Sequence, residues 1–341
     1  MNENITMNII SFDDNSSLEN TDLSPERVSV VSGEPEPVPK FVFIIPYRNR
    51  SFYLQSFLKQ MRYVLEDIPK TDYKMFVIHQ NDSRKFNRGA IKNIGFLYIK
   101  NKYPNDYKQM TIVLNDVDIF PLRKNYLDYI TTKGIVKHFF GFTYTLGGIV
   151  SIVGEDFERI NGFPNFWVWG FEDNLIQSRV QKAGICIDRS NFYDLSTNAD
   201  DGTLFACINS GVKRIISKTE YIRYLKHTPE GINHITNIQY TETPNHIPPH
   251  IRIPNTVEIE MPTKFKNNSG SIHSNTNSIL KSLSNDDSLY SVDYITVNVN
   301  HFLTEVYENT VTAEVFDLRN GNVPFKGVVN TKRIPQMYMG F

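Results

Sequence analysis

Three apolar runs, each followed by a cluster of reactive polar residues and separated by amphipathic stretches, constrain this chain most. Phe41–Ile45 is apolar throughout and ends at Pro46, the pattern of a strand buried on both faces. Lys74–His79 and Met110–Leu114 are further runs of this kind. Between the first two, residues 51–66 space Phe52, Phe57, Leu58, Met61 and Leu65 at helical intervals, and residues 88–100 form a second amphipathic stretch. The series predicts right-handed crossovers and a mostly parallel central sheet flanked by helices, an α/β fold. Ligands of such sheets collect beyond the carboxyl ends of the strands. The three runs end there in Arg48, Asn49 and Arg50, in His79 and Gln80, and in Asp116 and Asp118.

The chain of 341 residues is 40% hydrophobic, ample for a buried core, and its formal net charge is -1. With Lys and Arg scattered, the balance argues against binding a polyanion through bulk charge, a local basic patch stays open, and no nucleic-acid partner is expected. No stretch approaches the ~20 apolar residues of a membrane span. No basic-then-apolar leader opens the chain, so a cytoplasmic location is expected. The two cysteines, Cys186 and Cys207, cannot build a disulfide framework; one bridge is open to them, but they read rather as free, buried thiols of a reducing compartment. Enrichment in Asn, Ile, Lys and Tyr reads as AT-rich coding bias, of the sort found in large DNA viruses and protists. Residues 1–38 are an acidic, proline-containing arm, expected to be disordered or loosely attached. Residues 39–300 form the domain, with an Asn- and Ser-rich loop at 266–288 and an alternating strand at Tyr290–Val299. Residues 301–341 are a C-terminal extension of unassigned role.

Two constellations carry chemistry. Asp116-Val-Asp118 follows a strand, where carboxylates can hold a hard cation that neutralises a departing diphosphate; a solvated turn is the simpler reading. Trp169-Gly-Phe-Glu172-Asp173 sets two carboxylates beside aromatic rings. That suits a sugar, with one carboxylate acting as base on a hydroxyl. The same acids also suit the start of a helix, and both readings can hold together. Gly147-Gly148 and Asn161–Asn165 mark turns.

In order, these segments resemble the β-1,4-galactosyltransferase family. Ile44-Ile-Pro-Tyr-Arg-Asn-Arg50 is similar to its opening motif, and Phe86-Asn-Arg88 with Asn93-Ile-Gly-Phe96 to its next segment. Asp116-Val-Asp-Ile-Phe-Pro121, Phe140-Gly-Phe142, Gly147-Gly148, Ile160–Asn165 and Trp167–Asp173 follow at similar distances. Asn277-Ser-Ile279 and Tyr290–Val299 resemble its closing segments. The resemblance implies a GT-A (nucleotide-diphospho-sugar transferase) fold. It also implies inverting transfer from a UDP-sugar to a glycan or glycoprotein hydroxyl, assisted by Mn²⁺ or another divalent cation. By position, Pro46, Tyr47, Arg48 and Arg50 would hold the uridine and its phosphates, with Phe86 and Arg88 nearby. Asp118 would ligate the metal and Asp116 support donor binding. Trp169 would contact both sugars from a mobile loop, Glu172 would bind the acceptor, and Asp173 would be the catalytic base.

The chain departs from the family pattern at several points. Phe171 stands where a glycine is usual, adding bulk where glycine allows loop freedom and close approach of a sugar, and Asn174 and Leu175 replace two carboxylates. Thr145 or Leu146 takes the place of an aromatic residue that gates the donor, so an N-acetylhexosamine is as compatible as galactose. The metal-binding histidine segment is matched by Arg223-Tyr-Leu-Lys-His227, which makes His227 a second candidate ligand. Arg179 sits where the family has an arginine. A non-catalytic carbohydrate-binding or structural protein on the same fold is the competing expectation. A glycosidase fits less well, because Glu172 and Asp173 are sequence neighbours rather than flanking carboxylates.

Overall fold

The computed structural model describes residues 5–6, 37–194, 204–206, 213–249, 251, 292–308 and 314–317. The elements are β1 (Ile5–Thr6), β2 (Phe41–Tyr47), α1 (Ser51–Val64), β3 (Tyr73–Gln80), α2 (Arg88–Lys102), β4 (Thr111–Asn115) and β5 (Ile119–Pro121). Then come β6 (Ile135–Gly141), β7 (Ile149–Val153), α3 (Gly154–Arg159), α4 (Glu172–Lys182), β8 (Cys186–Asp188), β9 (Tyr193–Asp194) and β10 (Leu204–Ala206). The last are β11 (Lys213–Ile216), α5 (Lys218–Leu225), a 3-10 turn at Ile232–His234, β12 (Thr236–Pro244), β13 (Ile295–Leu303) and β14 (Glu314–Asp317).

The main sheet runs β1-β12-β13-β3-β2-β4-β7-β6-β8, with β9 also on β6. Its centre, β13-β3-β2-β4, is parallel. Antiparallel pairs flank it, β12 on β13 to one side and β7 between β4 and β6 to the other. The sheet is therefore mixed, with the expected parallel series as its core. β2 is apolar throughout because both its faces are covered. Phe41, Phe43 and Ile45 pack with Leu54, Phe57 and Met61 of α1, while Val42 and Ile44 pack with Ile91 and Ile94 of α2.

Register brings the functional loops to one edge. Tyr47 lies opposite His79, and Ile44 opposite Leu114, in parallel ladders. The chain therefore leaves β2, β3 and β4 on the same side. β7 enters where β4 leaves, with Ile149 opposite Asn115, and the Asp116 amide donates to the Gly148 carbonyl at 2.9 Å. Gly147-Gly148 thus arrives beside the Asp116-Val-Asp118 turn.

The 266–288 loop, Asn277–Ile279, Tyr290 and Cys207 lie outside the described residues, as do most of the 1–38 arm and of the C-terminal extension. Of the arm, Ile5–Thr6 pairs with β12. Of the extension, residues 301–303 complete β13 and Glu314–Asp317 pairs with β11. The strand expected at Tyr290–Val299 is found at Ile295–Leu303. Cys186 is a free thiol, but exposed rather than buried as expected, since it opens the short strand β8 at the edge of the sheet. Among the described residues no helix is long and apolar enough to cross a membrane.

The α2–sheet contact is the tightest point of this packing. A Cβ on Gly95 would lie 2.7 Å from Ile44 Cγ2 and 2.9 Å from Ile78 Cγ1. Gly95→Val is therefore expected to lose about 2 kcal/mol of stability through overpacking, more than its gain in helix propensity returns. Urea denaturation would measure the loss, and an unchanged midpoint would show that the helix can lift off the sheet freely.

Candidate active site

Arg88 begins α2, and the helix start fixes it. The Asn87 side chain caps the helix by accepting from the Ala90 amide at 2.9 Å. The Asn87 amide donates to Gln80 Oε1 at 2.9 Å, and its Nδ2 to the Asn165 carbonyl at 3.1 Å. From there the Arg88 guanidinium reaches three carboxylates on two other elements. It forks onto Asp116 after β4 through Nε and Nη2. Its Nη1 donates to Glu172 Oε1 at 2.8 Å and to both oxygens of Asp173 at 3.0 Å. Glu172 and Asp173 are the first residues of α4, which meets the helix-start reading of these acids and at the same time turns both onto Arg88.

The electrostatics follow from burial and charge. Burial works against ionisation of Asp116, but Arg88 and Lys92 outweigh it and hold the carboxyl below its usual range. Arg88 is pushed well above its ordinary value, burial being outweighed by Asp116, Asp173 and Glu172. Burial raises Glu172, Asp173 adds to the rise, and Arg88 opposes it. Glu172 is buried, and its Oε2 has no hydrogen-bond partner among the described residues. That oxygen can accept a hydroxyl.

Beside this cluster the β2 edge carries cations and unsatisfied polar atoms. Arg50 forms an ion pair with Asp118. Arg48 Nη2 donates to the Asp82 carbonyl. Burial lowers Arg48 to about 10, and Asp82 works against that fall. Pro46 and Tyr47 close β2 as buried residues, and burial pushes the Tyr47 hydroxyl up to about 12. His79 is held down to about 4, chiefly by burial, and its neutral ring places Nδ1 3.0 Å from Asn298 Oδ1. Tyr47 Oη, His79 Nε2 and Arg48 Nε are buried without hydrogen-bond partners among the described residues, a concentration of polar atoms suited to a polar ligand. Phe86 packs, partly buried, against the α2 side of the core.

The Trp169–Asp173 loop departs from expectation in one respect. Phe171 does not crowd the carboxylates. It takes the left-handed conformation, φ 70°, at the cap of α4. Its ring is buried on α5, 5.0 Å from Tyr221 and stacked 5.2 Å from Tyr224. Trp169, 38% exposed, stands at the mouth of the same loop. Asn174 donates to the Tyr144 carbonyl at 3.3 Å and Leu175 is buried, so these two replacements serve packing. Leu146 is buried, and its amide donates to the Asp173 carbonyl at 2.9 Å. Gly147 lies so close to Asp173 that a Cβ there would come within 2.8 Å of its Cγ.

His227 lies against α4. It follows α5, with Nδ1 3.5 Å from Ser178 Oγ in the middle of α4, and burial with nearby Lys182 lowers its pKa. No described contact joins it to Asp118. Among the described residues no group of three or more His, Cys, Asp or Glu side chains lies together in a way that could hold a metal ion. Arg179 is structural: it donates to the carbonyls of Asn161, Gly162, Thr228 and Glu230. Sequence reasoning missed Lys92, a buried lysine 3.4 Å from Asp116 Oδ1. Its signal was its place four residues after Arg88, on the same helix face.

Phe171→Gly separates two opposing effects. It relieves about 1–2 kcal/mol of left-handed strain but removes a buried ring whose truncation costs about 3–5 kcal/mol. A net loss of roughly 2 kcal/mol is expected by denaturation. A stabilised variant would show that strain, not stacking on α5, dominates at this position.

Comparison with known proteins agrees with the motif resemblance. Residues 6–130 match the N-terminal region of glycosyl transferase group 7, and residues 136–199 match the N-terminal domain of galactosyltransferase. Together they cover more than half of the chain. β-1,4-Galactosyltransferase 1 of Mus musculus is 34% identical over 161 residues, 45% of this chain and 39% of the relative. β-1,4-Galactosyltransferase 7 of Drosophila melanogaster is 31% identical over 197 residues, 51% of this chain and 58% of the relative. The chain thus spans well under two thirds of these curated relatives. Among solved structures, the catalytic domain of the Drosophila β-1,4-galactosyltransferase 7 in complex with xylobiose aligns with a TM-score of 0.49 at 20% identity, covering 80% of this chain and 97% of that one. A mutant of that enzyme in complex with manganese, UDP-Gal and xylobiose aligns with a TM-score of 0.47 at 20% identity, with the same coverage. With both halves of the family pattern matched in order and the α/β architecture expected of a GT-A protein, the chain belongs to glycosyltransferase group 7 as a divergent member.

Proposed function

We propose that the chain is a galactosyltransferase-like enzyme that moves galactose or an N-acetylhexosamine from a UDP-sugar to a hydroxyl of a glycan or glycoprotein, with inversion. The observation that carries this reading is the convergence of Asp116, Glu172 and Asp173 on the Arg88 guanidinium, at the strand edge that also carries Arg48, Arg50 and Asp118. A sugar transferase needs both halves of that arrangement. Cations face a leaving nucleoside diphosphate, and a held carboxylate faces an incoming hydroxyl. The relatives' names, and the UDP-Gal, manganese and xylobiose bound to the Drosophila mutant, support the same substrate classes.

In this mechanism the acceptor hydroxyl gives its proton to Asp173 as it attacks the donor's anomeric carbon from the face opposite the diphosphate. Arg88 holds both Asp173 oxygens and so fixes the orientation of the base. Glu172 Oε2 accepts a second acceptor hydroxyl, and Trp169 offers an apolar face to a sugar ring. Arg48, Arg50, Tyr47, Pro46 and Phe86 line the nucleotide side, with Asp116 supporting the donor.

A single carboxylate fits a divalent cation that arrives in company with diphosphate oxygens. Asp118 is the residue proposed to hold it, while His227, set against α4, is given no part. When bound, such a cation would neutralise charge on the leaving diphosphate.

Calorimetric titration of UDP, with Mn²⁺ and with chelator, tests the donor side, and a panel of UDP-sugars then names the sugar. Asp118→Ala is expected to weaken UDP binding in Mn²⁺ and to change it little in chelator; equal loss in both would count against a metal role. Asp173→Asn is expected to lower transfer by at least about 100-fold while leaving UDP affinity nearly intact. Substantial turnover in that variant would remove Asp173 as the base. No UDP binding under any condition would favour a carbohydrate-binding protein on a retained fold.

A further inference from the structure

Lys92 is the one member of the charge cluster that the mechanism above does not use. It lies one turn after Arg88 on α2 and is only 1% exposed. Its Nζ is 3.4 Å from Asp116 Oδ1 and 3.9 Å from Asp173 Oδ1. The ammonium also sits 4.6 Å from the centroid of the Phe163 ring, a cation–π contact. That ring is itself fixed: the Phe163 amide donates to Asn93 Oδ1 at 2.9 Å, and Asn93 Nδ2 donates back to the Phe163 carbonyl at 2.8 Å. A buried ammonium in so fixed a place has little freedom to move.

Charge balance explains why a second cation is there. Arg88 alone would face three carboxylates, Asp116, Glu172 and Asp173, with one positive charge. Like charges that close repel, and in a buried setting water does little to screen them. Lys92 touches two of the three, one on each side of the site. Asp116 comes from the turn after β4 and Asp173 from the first turn of α4, and the only described cations between them are Arg88 and Lys92.

We infer that Lys92 is a positioning residue for the transfer reaction, its buried ammonium tying the donor-side carboxylate Asp116 to the base Asp173 and keeping the two in register. This inference rests on the transferase reading above. Lys92 acts through its two partners and needs no contact with substrate. A base displaced by about an ångström loses much of its effect, up to about a hundredfold. Donor affinity depends mainly on Arg48, Arg50 and the β2 edge, which Lys92 does not touch, and Asp116 keeps its fork onto Arg88 when Lys92 is replaced.

The test is a double-mutant cycle on the full chain, with transfer from the best UDP-sugar as readout. Lys92→Met keeps a long unbranched side chain that can rest its sulfur on Phe163. It is expected to lower kcat by at least about tenfold while the KM for the UDP-sugar changes by less than about threefold. In an Asp173→Asn background the same substitution is expected to have almost no further effect, because its target is already disabled. A purely structural lysine would instead lower kcat by the same factor in both backgrounds. Additive losses, or Lys92→Met turnover within twofold of the parent, would overturn the assignment while leaving the transferase reading in place. Absence of transfer by the parent chain with every UDP-sugar would remove the transferase reading, and this inference with it. Lys92→Gln, read in the same cycle, stands in if Lys92→Met does not fold. Failure of both to fold would assign Lys92 to stability alone.

Discussion

The Arg88 guanidinium, held among Asp116, Glu172 and Asp173, is the contact on which the site depends. Charges taken out of water are tolerated only when paired and hydrogen-bonded, and here every element around the cluster contributes to that pairing. α2 supplies Arg88 and Lys92, the turn after β4 supplies Asp116, and α4 supplies the other two carboxylates from its first turn. The elements converge because the charges must be satisfied together, and that convergence joins the β2–β4 edge of the sheet to the start of α4.

Asparagines form the scaffold behind the charges. Asn87 caps α2 and reaches the Asn165 carbonyl, while Asn93 Nδ2 donates to Asn165 Oδ1 at 2.9 Å. Asn165 Nδ2 in turn donates to the Gly231 carbonyl at 2.9 Å. These amides are buried and bridge three chain segments that no ladder connects. On the far side, Arg179 gathers four backbone carbonyls from the 161–162 and 228–230 segments. The Trp169 loop is thus bounded by two polar networks and by the Phe171 stack on α5, which together limit how it can lie.

The strands, the first two helices and the sheet edge that bears the site were legible in the residues. Periodicity and uninterrupted apolar runs report burial directly, and β2, α1, β3, α2 and β4 appear in the expected order. The motifs Asp116-Val-Asp118 and Glu172-Asp173 were legible for a different reason: they fall in order among the segments that resemble one family, although a solvated turn and a helix start would each account for the acids alone. Less legible were features that depend on a partner distant in sequence. Phe171 read as bulk at the acceptor site, because nothing nearby shows that Tyr221 and Tyr224, some fifty residues on, offer it a stack. His227 read as a ligand because the residues around it match a motif, and its side-chain contact with Ser178 of α4, 49 residues earlier in the chain, is not readable locally.

The amino-acid pattern by itself determined the α/β class, the parallel core and the edge where chemistry can gather, since these follow from short-range periodicity and from the fixed handedness of crossovers. Only the tertiary structure decided which charges meet. Asp116 and Asp173 are 57 residues apart in the chain and become neighbours through β7 running antiparallel to β4 and through the bond from the Leu146 amide to the Asp173 carbonyl. Lys92, one lysine among many along the chain, becomes a buried cation only because the Phe163 loop closes over α2. Local sequence sets where a side chain starts, but long-range packing sets the dielectric and the partners it meets.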